Sequence, residues 1–137
     1  MKNVLFFLLL ILSSFTFSQV DTNSYAEEAP NFPIVIHYQN NSAQISHVSQ
    51  YKLMLLSDYL IQNPKLNIVI EGHVCCGPAK HMSKKRAKSI YKMLLKHHVP
   101  REQMIFVGKS FDEPRIAKEK SESDKDINRR VEIKLAR

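Results

Sequence analysis

The stretch LNIVIEGHVCCG, Leu66 to Gly77, decides the reading of the fold. Leu66, Ile68 and Ile70 alternate with Asn67 and Glu71, and Val69 is the one apolar residue out of phase. A period of two marks a strand, and the extra valine marks one partly buried on both faces. The strand runs into a glycine- and proline-bearing loop, Gly72 to Pro78. Beyond it, MSKKRAKSIYKML, Met82 to Leu94, changes period. Ala87, Ile90, Leu94 and, at the margin, Tyr91 form an apolar stripe, and Lys84, Lys85, Lys88, Lys92 and Lys96 cover the outer face. This predicts a helix capped by Ser83 and ended by Val99-Pro100.

Outward from this pair, the same two periods recur. Upstream, Ile45, Val48, Leu55, Leu56, Tyr59 and Leu60 fall largely at helical spacing until Asn63-Pro64, and Pro33 to Tyr38 is a short β-branched and aromatic run. Downstream, Met104, Phe106 and Gly108 lead through a third strand, and 109–127 is a charged segment that bends at Pro114. Val131, Ile133 and Leu135 then alternate with Glu132, Lys134 and Ala136. The order β-α-β-α-β-loop-β predicts an α/β fold of βαβαββ type, with two helices packed on one face of a small mixed sheet.

The start of the chain reads as an export signal. Lys2 precedes the apolar run Val4–Leu12, and Ser13 to Ser18 leads to a plausible cut before Gln19. The run is shorter than the ~20 apolar residues of a membrane-spanning helix. No cysteine sits at its exit, so the segment does not read as a lipoprotein signal. The expected organisation is a signal peptide at 1–18, a polar tether at 19–32 and one domain at 33–137. The 137-residue chain has a net charge of +7; residues 1–18 carry one Lys and no acid, leaving +6. Such a surface favours polyanions, or serves solubility alone. Export makes nucleic acid the poorest fit.

Four segments, in order, resemble one family. LNIVIEGHVCCG is similar to a strand entering a G-H-T-D loop. MSKKRAKSIYKML resembles an L-S-x-x-R-A-x-x-V helix start, and HHVPREQMIFVGKSFDEP loosely resembles the stretch that follows it. NRRVEI, Asn128 to Ile133, matches a near-terminal N-R-R-V-E signature. The family is that of the OmpA C-terminal-like domain, shared with Pal lipoproteins and MotB stators. The resemblance covers roughly 33–137 and implies an OmpA-like sandwich. It also implies non-covalent binding of peptidoglycan through the diaminopimelate of its stem peptide, with no cofactor. The expected setting is the periplasm, against the outer membrane or cell wall, with outer-membrane or envelope proteins as further partners.

The chemistry of such a ligand is plain. Diaminopimelate offers carboxylates, which suit an Arg fork or helix-start N–H groups, and an ammonium, which needs an acid or carbonyls. In the family the Asp of G-H-T-D and the Arg of L-S-x-x-R-A serve as side-chain contacts. Arg86 holds the arginine position and is expected in the first turn of the second helix. Val74 and Cys75 stand where Thr and Asp are expected, so the acid is missing. A free thiol, with a pKa of roughly 8.5, is no substitute for it. His73 matches the motif's histidine and is read as bonding the loop backbone. Asn128 and Arg130 are read as anion or loop contacts, with a structural role as the alternative. The peptidoglycan-binding set is thus Arg86, Cys75, His73, Asn128 and Arg130.

Cys75 and Cys76 are the only cysteines. In an exported protein, adjacent thiols can form a vicinal disulfide, stay free or bind metal. The metal set would be His73, Cys75, Cys76 and His81, four ligands suited by type to zinc or copper but at an unusual spacing. The alternative function is therefore a redox- or metal-responsive envelope module on the same fold, or an interaction module that has lost the ligand. No triad order, phosphate loop or paired-carboxylate motif is present, and an enzyme is not expected.

Overall fold

The structure is a computed structural model that describes residues 29–76 and 79–136. The expected signal peptide, 1–18, and most of the expected tether lie outside the described residues. Phe32, placed in the tether by sequence, is half-buried against the core.

Among the described residues, four strands and three α-helices alternate: β1 (Ile34–His37), α1 (His47–Gln62), β2 (Ile68–His73), α2 (Lys80–Lys96), β3 (Met104–Ser110), α3 (Glu122–Asn128) and β4 (Arg130–Leu135). The sheet order is β1-β4-β2-β3. β2 and β3 are parallel, as a helical crossover requires, and β4 runs antiparallel to both β1 and β2. Ile36, Ile68, Ile70, Val131 and Ile133 turn one face of this mixed sheet toward Leu53, Leu56 and Leu60 of α1 and Ala87, Ile90 and Leu94 of α2. Each of these Ile, Leu and Val side chains taken fully out of water stabilises the fold by about 1.5–3 kcal/mol. The expected two-helix layer is thus present.

Three details differ from the sequence reading. The buried stripe of α1 is Leu53, Leu56, Ser57 and Leu60, whereas Val48 and Leu55 are exposed. The helix starts at His47 with Ser46 as its cap, so the stripe is rotated from the phase counted from Ile45. The segment expected to be a loop contains α3, closed by a capping box: the Ser121 hydroxyl accepts from the Asp124 N–H and the Asp124 carboxylate accepts from the Ser121 N–H. Finally, α2 starts at Lys80, so Ser83 is not its cap.

Ser83 has a different task. Gly72 and Gly108 are register partners across β2 and β3. A Cβ on Gly72 would lie 1.9 Å from the Ser83 carbonyl oxygen, and one on Gly108 would lie 2.7 Å from Ser83 Oγ. The two glycines form a trough in which α2 sits on the sheet. Ser83, fully buried there, donates its hydroxyl to the Lys80 carbonyl (2.9 Å) and accepts the Ser110 N–H (3.1 Å). This pins the start of α2 to the ends of β2 and β3, where the loop after β2 begins.

Candidate functional site

Arg86 lies in the second turn of α2, not the first, because the helix begins three residues before Ser83. It is 1% exposed and faces the segment after β2. Its Nε donates to the Ser42 carbonyl (2.8 Å), and its two terminal nitrogens donate to the carbonyls of His73 (3.3 Å) and Gln39 (3.0 Å). The guanidinium also lies 5.2 Å from the Tyr38 ring centre. These carbonyls carry no charge. Burial lowers the Arg86 pKa, Tyr38 opposes that shift and the Arg129 charge adds to it. Burial likewise pushes the Tyr38 phenol up to about 12, so it stays neutral over Arg86.

Arg129, which sequence reasoning passed over, is the second cation at this mouth. One terminal nitrogen points at Cys75 Sγ (3.6 Å), while Glu122 and Asp126 of α3 hold the rest of the fork. Burial opposes its charge, and the hydrogen bonds it donates to Asp126 and Glu122 overcome that and raise its pKa. Sulfur is a weak acceptor. The N–H aimed at Cys75 is therefore the one a ligand oxygen can take most cheaply. Strand parity carried the signal: Arg129 shares the phase of Val131 and Ile133, which face the helices, and Arg130 shares that of Glu132 and Lys134.

The structure places Asn128 and Arg130 in scaffolding roles. Asn128 is fully buried, and its carboxamide oxygen accepts the N–H groups of Arg115 (2.8 Å) and Ile116 (3.0 Å) while its nitrogen donates to the Ile116 carbonyl and to Glu119. Arg130 donates to Glu132 (2.6 Å) and to the Glu113 carbonyl (3.0 Å) on the sheet face opposite α1 and α2. Both tie the 111–121 segment down over that face.

His73 belongs to the same covered face. Its backbone carbonyl serves Arg86, but among the described residues neither ring nitrogen has a hydrogen-bond partner, so the ring does not bond the loop backbone as expected. Burial, and then the Arg130 charge, lower its pKa to about 4, outweighing Glu132, Glu71 and Glu113. The unfolded chain, titrating near the ordinary 6.5, holds a proton between pH 6.5 and 4 that the folded chain does not. Stability should fall by about 3 kcal/mol as pH drops through that window. Denaturant midpoints at pH 7 and pH 4.5 should show this fall, and His73→Phe should remove it. Glu132 acts lower: burial raises its pKa, but Arg130, Lys134 and Arg115 outweigh burial and hold it at about 2. Its contribution is lost only as pH falls from about 4.5 toward 2.

Cys75 and Cys76 are joined by a disulfide. The four expected metal ligands are not assembled. Alternation along β2 carries the His73 ring to Glu71 and Glu132, and His81 is exposed in the first turn of α2. The cysteine sulfurs and a Glu119 oxygen lie within 4.8 Å of one another, but disulfide sulfurs are not thiolate ligands. Glu71 and Glu132 are already neutralised by Lys109, Lys134, Arg115 and Arg130. Neither cluster, as it stands, suits a metal cation.

A shallow groove of about 450 Å³ continues from the Arg86 partner Ser42 along α2, lined by Asn41, Gln44, Lys85, Lys88 and Lys92. Two guanidiniums thus stand at the loop, Arg129 paired with Glu122 and Asp126, and a row of lysines lines the groove beside them.

The model of the OmpA family matches residues 37–129. The chain belongs to the OmpA family. Among solved structures it is similar to the peptidoglycan-associated lipoprotein of Burkholderia pseudomallei, with a TM-score of 0.69 and 21% identity over 74% of this chain and 89% of that one. It is also similar to the C-terminal domain of Helicobacter pylori MotB, with a TM-score of 0.68 and 22% identity over 76% and 84% of the two chains. At these identities the likeness is one of fold. No curated protein matches the sequence. Among the described residues, no helix is long and apolar enough to cross a membrane.

Proposed function

We propose that this domain binds peptidoglycan non-covalently in the cell envelope, taking the diaminopimelate of the stem peptide at the mouth between the 73–76 segment, α2 and Arg129. The observation that carries the reading is the convergence of two arginines on this segment. Arg86 stands at the family's arginine position and bonds residue 73, and Arg129 is directed at residue 75, the family's acid position. A carboxylate entering here meets the Arg129 N–H that now faces only sulfur, over a floor charged by Arg86. The family membership and the name of the peptidoglycan-associated relative support peptidoglycan as the ligand. The reading places the protein outside the cytoplasm, in the periplasm, beside the wall or the outer membrane. It is a binding role and needs no bond-making residue.

The test is co-sedimentation of the purified protein with isolated sacculi, with free meso-diaminopimelate as competitor. The protein is expected in the pellet and in the supernatant once the competitor is added. Protein that stays in the supernatant throughout overturns the reading. A second reading, a redox-responsive module, is favoured by the disulfide at the family's acid position. The same assay with a dithiol reductant separates the two, because a large change in sedimentation on reduction would move the second reading to first place.

A further inference from the structure

The mouth has cations for a carboxylate, yet the position that should hold an acid for the ammonium is a disulfide cysteine. The 111–121 segment brings an acid back to that place. Glu119 is half-buried, and its carboxylate lies within 4.8 Å of Cys75 Sγ and Cys76 Sγ. One oxygen accepts from Asn128 Nδ2; the other is 3.7 Å from Cys76 Sγ. A disulfide sulfur has no hydrogen to donate, so this second oxygen is left with lone pairs directed at the mouth and no strong donor. Among the described residues Glu119 takes part in no ion pair, whereas Glu71, Glu113, Glu122, Asp126 and Glu132 each hold a Lys or Arg. Its mount is rigid, because Asn128 is fully buried and fixed by two backbone N–H groups and a carbonyl.

We propose that Glu119, held by Asn128, is the ammonium-binding carboxylate of this site, in place of the acid that position 75 lacks. The inference rests on the diaminopimelate reading above and deepens it. An ammonium between Glu119 and the loop would gain a charge-assisted bond at a half-buried position, while the carboxylate on the same carbon turns to Arg129. The acid thus comes from the segment before α3, some forty residues along the chain from the family's loop.

The test compares two ligands and three proteins by calorimetry or NMR titration. Meso-diaminopimelate carries an ammonium beside each of its two carboxylates, and pimelate, with the same chain and carboxylates, carries none. The wild type should bind the first about tenfold more tightly than the second. Glu119→Gln keeps an oxygen for Asn128 but removes the charge. It should lose about that tenfold for meso-diaminopimelate, change little for pimelate, and keep its melting temperature. Equal affinity of Glu119→Gln and wild type for meso-diaminopimelate would overturn the assignment. If Arg86→Lys then loses binding while Glu119→Gln does not, the site reading stands and only Glu119 falls. If the wild type binds neither ligand, both fall together.

Discussion

Arg86→Ala is expected to destabilise the domain by about 3–5 kcal/mol and to abolish sacculus binding. The side chain is among the largest that are fully buried, and its guanidinium donates to the carbonyls of Ser42, His73 and Gln39, the last of which also accepts the Ser42 N–H. Truncation takes the guanidinium from the Ser42 and His73 carbonyls and leaves a cavity, and each buried acceptor without a donor costs about 1–3 kcal/mol. The loss should appear as a lower denaturant midpoint. Arg86→Lys is the cleaner test of function. It keeps the positive charge but can bridge fewer of the three carbonyls, so the domain should still fold, at reduced stability. Binding should drop at least tenfold, because a point charge does not reproduce the fork that holds the 73–75 segment and the mouth in register. Unchanged binding by a folded Arg86→Lys variant would mean that this arginine is scaffold only.

Gly72→Ala should cost about 3 kcal/mol or more, at the upper end of what overpacking usually does. The added methyl would meet the backbone of Ser83 rather than a side chain that can swing away. Only a shift of α2 off the sheet relieves the contact, and that shift breaks the Ser83–Ser110 bond and draws Arg86 away from His73. Weaker sacculus binding should therefore accompany the loss of stability. Ala87→Gly, which relieves no backbone contact, should not rescue the variant. Denaturant midpoints for the single and double variants check this, and full stability in Gly72→Ala would show that α2 is not seated in the trough.

The elements that were legible in the sequence are those with a period. Alternation at Val131 and Ile133 marked β4, and the Ala87, Ile90 and Leu94 stripe marked the buried face of α2. The start of α2 was not legible, because its cap, Ala79, makes no side-chain hydrogen bond, and Ser83 looked like the cap while being the floor of the trough. α3 did leave a signal, the Ser121-x-x-Asp124 pattern, hidden in a run of charge. The proposed site was half legible. The motif located Arg86, and parity along β4 would have located Arg129. Glu119 carries no local pattern at all; its place depends on Asn128 folding a distant segment back onto the loop, which is tertiary information.

The sheet topology also fixes how the domain takes a pull. The chain enters β1 at Ile34, opposite Ile133, while the end of β4 lies beside Asn67 at the start of β2. Arg129, His73 and Ser110 lie at the other pole. A tug between the upstream chain and a ligand held at that far pole runs along the strands. It strains the β1–β4 hydrogen bonds side by side, in shear, rather than opening them one after another like a zipper. Four residue pairs thus share the load, and a short edge strand becomes a serviceable mooring.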